Sequence, residues 1–286
     1  MVDLTLPGTY EFVMKSLITH PLRKVRNWFR AQGIPTKYND IKILSLKDRH
    51  KGERCVLVGM GPSLRMEDLE RLKNCVTFGC NQVFKAFAET TWRPTYYTVS
   101  DCVVAETYKE EIFNVPSIII CPKYTKEQLG TEHGVLWLHT IPVHKGEDPS
   151  IVAFSKNLVE GIAPGGATVI YDQLQIAYYM GFAEVILVGI DFNYENYVLL
   201  DEHGNEGQLA ESKNEGNHFI KNYYKPGEKM NVPKVELQRN AFQQASLVYA
   251  ESGRKLINAS RKTKLDVIER GDFDALFPST ATNASE

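Results

Sequence analysis

The sequence is poor in the features that would place it quickly. It has five cysteines, Cys55, Cys75, Cys80, Cys102 and Cys121, an odd number with no CxxC pair among them. That spacing argues against a disulfide framework and against a zinc site, and the five read as small buried hydrophobes. There is no apolar run of about 18 residues, so no membrane-spanning helix is expected. The N-terminus lacks the charged-then-apolar layout of a secretory leader, which points to a cytoplasmic protein. Charge of one sign is lacking too. Thirty-three Lys and Arg stand against 35 Asp and Glu, a net of -2, which gives no electrostatic footprint for nucleic acid. No internal repeat is evident.

What is present is an α/β pattern. Apolar runs of strand length alternate with helical segments: "RCVLVG" at 54–59, "CVTFGCN" at 75–81, "TYYTVSD" at 95–101, "SIIICP" at 117–122, "GVLWLHT" at 134–140, "EVILVGIDF" at 184–192 and "KLINAS" at 255–260. Continuous Val/Ile/Leu strands alternating with helices predict a mostly parallel, Rossmann-like sheet covered on both faces. The strongest helix is predicted over 167–182, with Ile170, Leu174, Ala177, Tyr178 and Gly181 on one stripe and Gly181 as its C-terminal stop. A second long helix is predicted over 234–253. Residues 46–277 therefore form the main domain.

Residues 1–45 read as an N-terminal helical extension, with a helix over 9–32 that Pro21 kinks or splits. Arg23, Lys24, Arg26 and Arg30 make residues 23–30 basic. They form either a solvated face or a surface that touches anionic membrane or a partner. Residues 278–286, small and polar, read as a disordered tail. A polar stretch of about 195–230, rich in Asn, Gly, Glu and Tyr, reads as an irregular lid.

In open α/β sheets, ligands sit beyond the carboxyl ends of the strands. Those ends carry Gly59-Met60-Gly61-Pro62-Ser63, then Asn81-Gln82, Ser100-Asp101 and Asp191-Phe192; the long helix opens after Pro164-Gly165-Gly166. Glycines allow close backbone approach to a ligand, and a following helix offers amides to an anion. A tight turn with no ligand is the competing reading. The lysine of a Walker loop is missing, and so are the third glycine and the ribose-binding acid of a dinucleotide fingerprint. Thr168 either caps the long helix or donates to an anion. Asp191 ends a very apolar strand, where it serves the site or holds a neighbouring loop. His218, set among aromatics in the lid, is the candidate general base, with an ionisation expected near the ordinary histidine value of about 6.5.

The segments "HKGERCVLVGMGPSL", "GCNQVF", "PTYYTVSD", "GGATVIYDQLQIAYYMGFAEVILVGIDFNY" and "NHFIKNYYKPG" resemble bacterial proteins of the DUF115 type. That group looks related to archaeal 6-hydroxymethylpterin pyrophosphokinases and to bacterial CMP-sialic acid-dependent sialyltransferases. The resemblance runs from about residue 40 to about 277. It implies donor contacts at Gly59, Gly61, Pro62, Ser63, Asn81, Gln82, Gly165, Gly166 and Thr168. Tyr194 and Tyr197 then face the leaving phosphate, and His218 is the base. The chain departs from the pattern at Met60, where the family has asparagine. A strict overlay of "HFIKN" puts the catalytic position on Asn222.

The resemblance implies a glycosyltransferase moving a nonulosonic acid from a CMP-activated donor to a cell-surface glycan, with no cofactor. The alternative is an ATP-dependent pyrophosphokinase needing Mg2+, with Asp101 and Asp191 as ligands. A third reading is an inactive nucleotide-sugar binder.

Overall fold

The computed structural model describes residues 21–130, 134–142, 152–195, 197–204, 207–212 and 215–279. Eight parallel strands form one sheet in the order β11-β10-β6-β1-β2-β3-β4-β5. They are β1 (Arg54–Val58), β2 (Val76–Cys80), β3 (Tyr96–Thr98), β4 (Ile118–Pro122), β5 (Leu136–Leu138), β6 (Glu184–Val188), β10 (Lys255–Asn258) and β11 (Glu269–Arg270). The expected Rossmann-like architecture is therefore present. β1 lies at its centre, with Val56 registered against Thr77 of β2 and Ile186 of β6. Cys55, Val56, Leu57 and Val58 are fully buried. Both faces of the strand are covered, which is why it reads as unbroken apolar sequence rather than as an alternation.

Chain order runs from β1 outward to β5, then crosses back through the helix Val169–Tyr179 to β6 on the other side of β1. The junction of β1 and β6 is thus a topological switch point, where two connections leave in opposite directions and open a crevice. The helix Val235–Glu251 then leads into β10.

The crossover helix differs from expectation in its burial. Every residue of Val169–Tyr179 is buried except Tyr178, although its spacing puts it on one stripe with Ile170 and Leu174. The helix is walled in on all sides, so its polar residues need internal partners. Gln173 Nε2 donates to the Gly79 carbonyl at 2.8 Å, and Gln175 Oε1 accepts from Ser155 N at 2.9 Å and Ala163 N at 2.8 Å. Gly181, at φ +88°, ends the helix as expected.

Residues 21–31 are helical and a second short helix spans Tyr38–Leu44. The first twenty residues, and with them most of the expected 9–32 helix, lie outside the described residues, as do 280–286 of the tail. The N-terminal segment closes the β5 edge of the sheet. The Asn39 side-chain amide donates to the Trp137 carbonyl at 2.7 Å and accepts from its amide at 3.0 Å, as a neighbouring strand would.

The segment predicted as an irregular lid contains a second sheet. It is antiparallel, with β7 (Tyr197–Gly204), β8 (Gly207–Ser212) and β9 (Lys229–Asn231) in that order. Its strands are mostly half-exposed, so the alternation that marks a buried face is weak. All five cysteines are free thiols, four buried and Cys75 half-buried.

Candidate functional site

Three turns and the lid meet over the β1–β6 switch point and enclose a cavity of about 310 Å3. The turn after β1 is held down by Gly59 N to Val188 O and Gly61 N to Gly189 O, both at 2.8 Å. A β-carbon on Gly59 would stand 2.3 Å from Ile190 Cδ1 and 2.5 Å from Gly189 O; one on Gly61 would stand 2.6 Å from Asp191 Cγ. The glycines are therefore required by the close approach of the β1 turn to the β6 turn, within the protein. Gly166 repeats this, with Tyr171 Cδ1 at 2.3 Å from its virtual β-carbon, while Gly165 holds φ +97° in otherwise open space. Of the two readings open from sequence, ligand approach and a tight turn, protein packing accounts for most of the need for glycine at Gly59, Gly61 and Gly166.

Asp191 explains the position of Ser63. The Ser63 amide donates to one carboxylate oxygen at 2.7 Å and its hydroxyl donates to the other. Burial holds the Asp191 carboxyl above the ordinary carboxylate value, and the Ser63 bonds oppose that shift. Asp101 caps the helix Cys102–Thr107 by accepting from Val103 N at 2.8 Å and Val104 N at 3.1 Å. Thr168 caps the crossover helix, its hydroxyl accepting from Ile170 N at 3.4 Å.

Three non-glycine residues at the cavity have left-handed backbone: Asn81 at φ +45°, Ala167 at φ +49° and Phe192 at φ +54°. Such conformations persist only where surrounding structure enforces them, and they cluster at functional sites. The Asn81 side-chain oxygen is buried without a hydrogen-bond partner.

The lid supplies the remaining wall. Phe219 N donates to the carbonyl of Met60 at 3.0 Å, which brings His218 over the β1 turn. The His218 ring stacks on Tyr223 at 3.7 Å with a 6° interplanar angle and meets Tyr224 edge-on at 5.4 Å. Burial, aided by the nearby Lys85 cation, pushes the imidazole down to about 4, well below the expected 6.5. His218 is therefore neutral at neutral pH.

Lid position is fixed by a polar network. Glu228 meets the Tyr108 hydroxyl at 2.8 and 2.9 Å and accepts from Lys225 N at 2.9 Å. Lys85 Nζ donates to Tyr108 Oη at 3.0 Å and to the Tyr223 carbonyl.

Of the residues singled out from sequence, Gly59, Gly61, Asn81, Asp101, Gly165, Gly166, Thr168, Asp191, Tyr194, Tyr197 and His218 line the cavity. Pro62, Ser63 and Gln82 do not. Ser63 serves Asp191, and Gln82 is buried with its amide 3.4 Å from Glu228. Asn222, the rival to His218, is exposed, at φ +54°, and is absent from the lining. Sequence reasoning missed Tyr124, Asn193, Asn217 and Gln238, which also line the cavity. Gln238 accepts from the Tyr194 hydroxyl at 2.7 Å and donates to Ala167 O at 2.9 Å, joining lid and turn. It sits on a long helix with no local signal to mark it.

The lining contains five tyrosines (Tyr124, Tyr194, Tyr197, Tyr223 and Tyr224) and three aspartates, and among the described residues no lysine or arginine lines it. Nowhere among the described residues do three His, Cys, Asp or Glu side chains gather as a metal cluster.

Solved structures similar to this chain include a sialyltransferase, CstII from Campylobacter jejuni, in complex with cytidine-5'-monophosphate. It is 16% identical, with 78% of this chain and 86% of that chain covered and a TM-score of 0.43. The sialyltransferase CST-II in complex with trisaccharide acceptor and CMP is 16% identical, with 74% and 83% covered and a TM-score of 0.38. No curated protein matches the chain. A family model described as 6-hydroxymethylpterin diphosphokinase MptE-like matches residues 32–197, more than half of the chain and all of the sheet from β1 to β6. The chain belongs to this MptE-like family.

Proposed function

We propose that the chain is a nucleotide-dependent glycosyltransferase that moves a nonulosonic acid from a CMP-activated donor to a glycan hydroxyl. The observation that carries this reading is the chemistry of the cavity wall. It offers tyrosine hydroxyls and a neutral imidazole in the lid, and among the described residues no lysine or arginine. Such a wall suits a ligand with a single phosphodiester. A triphosphate would bring several charges to a lining that holds three aspartates.

In the reaction, the acceptor oxygen bonds to the anomeric carbon as the carbon–oxygen bond to the CMP phosphate breaks. The hydroxyl proton passes to the free ring nitrogen of His218, and CMP leaves with the bonding pair. Tyr197 in the lining donates to the departing phosphate, and Tyr194, whose hydroxyl donates to Gln238 Oε1 in this structure, joins it only by turning from that partner. A low-pKa imidazole is a weak base, so it serves best late, as the acceptor hydroxyl becomes acidic in the transition state. Calorimetry with CMP, CDP, UDP, GDP and ATP tests the reading. CMP should bind most tightly, and tighter binding of ATP overturns it.

Family membership favours a second reading, diphosphoryl transfer from ATP to a hydroxymethyl group of a pterin. That chemistry uses Mg2+ to neutralise the phosphates. Asp101 and Asp191 are the carboxylates proposed for it. One Asp101 oxygen already accepts two helix amides, and both Asp191 oxygens accept from Ser63. No third ligand group gathers with them among the described residues. At least three of the four oxygens of the pair are thus already engaged by protein donors. Turnover of ATP with a hydroxymethylpterin, abolished by EDTA, would establish this reading over the first.

A further inference from the structure

Residues 21–47 carry Arg23, Lys24, Arg26, Arg30, Lys37, Lys42 and Lys47 against one acid, Asp40, in a chain whose net charge is -2. Asp40 is buried and already committed. Its carboxylate accepts from Arg30 Nε at 3.0 Å, Thr36 N at 2.9 Å and Thr36 Oγ1 at 2.8 Å. Among the described residues Arg30 is the one of these seven cations held in an ion pair. The fold brings two further cations, Lys123 and Lys126, to the same place. Lys123 feels the charges of Lys37, Arg30, Lys126 and Arg26.

Large apolar side chains stand among these cations. Leu22, Val25 and Phe29 recur at helical spacing on residues 21–31 and are exposed, and Trp28 beside them is 60% exposed. On the next helix Tyr38 is 73% exposed and Ile41 is exposed with it. Globular proteins rarely leave so many large apolar groups together in water.

We infer that this face, helix 21–31 together with helix Tyr38–Leu44, docks on an anionic lipid bilayer. The charge decides between occupants. A second copy of the chain would set the same basic segment against itself, and like charges repel. A lipid surface rich in acidic headgroups meets the cations, while the aromatic and aliphatic groups enter the headgroup–acyl boundary, where tryptophan and tyrosine are favoured. The face adjoins the cavity rim. Lys123 directly precedes Tyr124, and His139, which meets Asp40 at 3.3 Å, directly precedes Thr140; Tyr124 and Thr140 both line the cavity.

The test uses the full chain with vesicles of phosphatidylcholine alone and of phosphatidylcholine with about one third phosphatidylglycerol. Sedimentation should carry the protein down with the anionic vesicles and leave it in solution with the zwitterionic ones, the binding weakening as salt is raised. Trp92 and Trp137 are buried, so a blue shift in tryptophan emission on binding reports Trp28. Arg23→Glu with Lys24→Glu, and separately Trp28→Ser, should each weaken binding at least about tenfold. Circular dichroism and nucleotide affinity should be unchanged, since these positions are exposed and outside the cavity lining. The proposal is overturned by no sedimentation with anionic vesicles, by equal binding to both vesicle types, or by wild-type binding in both variants. A dimer in light scattering that Trp28→Ser dissociates, without vesicle binding by the wild type, would assign the face to a second copy instead.

Discussion

A β-carbon on Gly61 would lie 2.6 Å from Asp191 Cγ and 2.7 Å from Gly189 O, distances that real β-carbons do not adopt. Gly61→Ala must therefore push the β1 and β6 turns apart. The expected loss is about 1–3 kcal/mol of stability, the usual range for overpacking, read from urea unfolding; an unchanged midpoint would refute the packing account. His218 makes a different kind of prediction. Unfolded histidine titrates near about 6.5, whereas desolvation in the folded chain pushes the half-buried His218 ring down to about 4. Between these values the unfolded chain binds the proton and the folded chain does not. Stability is thus unaffected by this group above about pH 6.5, declines as pH falls from there to about 4, and carries the full penalty below. His218→Gln should flatten that slope. As the acceptor base, His218 should lower kcat by roughly 10²–10⁴ when changed to alanine, with donor affinity nearly intact. The acidic limb of its pH–rate profile belongs near 4, and a limb near the ordinary histidine value would mean that another group takes the proton.

The lid is the element on which the site depends. Its sheet β7–β8–β9 sits at one end of the cavity, and the segment between β8 and β9 carries His218, Tyr223 and Tyr224. That segment is pinned to the main domain by Phe219 N on Met60 O and by the Lys85–Tyr108–Glu228 network. Tyr108→Phe removes the hydroxyl that joins Lys85 to Glu228, and with it about 1 kcal/mol or somewhat more, since the acceptor is a carboxylate. The loss falls locally. Proteolysis between residues 218 and 230 should accelerate several-fold, while the global unfolding midpoint moves little. Equal cleavage in wild type and variant would show that the network does not hold the lid. In the wild type, a nucleotide that fills the cavity should slow the same cleavage.

At the scale of the whole molecule, the eight-stranded sheet fixes where the site must be. Only at the β1–β6 junction do connections leave in opposite directions, and the cavity lies there. A ligand that binds this folded crevice and not the unfolded chain stabilises the molecule by about 2.7 kcal/mol at a concentration one hundred times its Kd. Thermal unfolding in the presence of CMP should therefore shift upward, and the shift should be smaller in Asn81→Ala, which removes the buried, unpartnered side-chain oxygen at the cavity. An equal shift in both proteins would remove Asn81 from the site. No helix among the described residues is long and apolar enough to cross a membrane; the lipid contact inferred above is one of helix 21–31 and its neighbour at the surface.

The sequence by itself determined the sheet. Buried parallel strands need apolar residues on both faces, and that requirement leaves unbroken runs such as "CVLV" and "VILV" that no other element explains. It also marked the turns that line the cavity, because strands that end in glycine, asparagine or aspartate mark themselves. Only the tertiary structure decided what those turn residues do. Gly59 and Gly61 answer to Ile190 and Asp191, some 130 positions away in sequence, and no local pattern encodes a contact of that range. For the same reason Ser63 turned out to hold Asp191, Asp101 and Thr168 to cap helices, and Gln238 to bridge lid and turn. That His218 lines the cavity and Asn222 does not came the same way, from a stacking contact with Tyr223 and a hydrogen bond between Phe219 and Met60. Long-range packing sets which way a side chain faces and how much water it keeps, and those two quantities fix its chemistry.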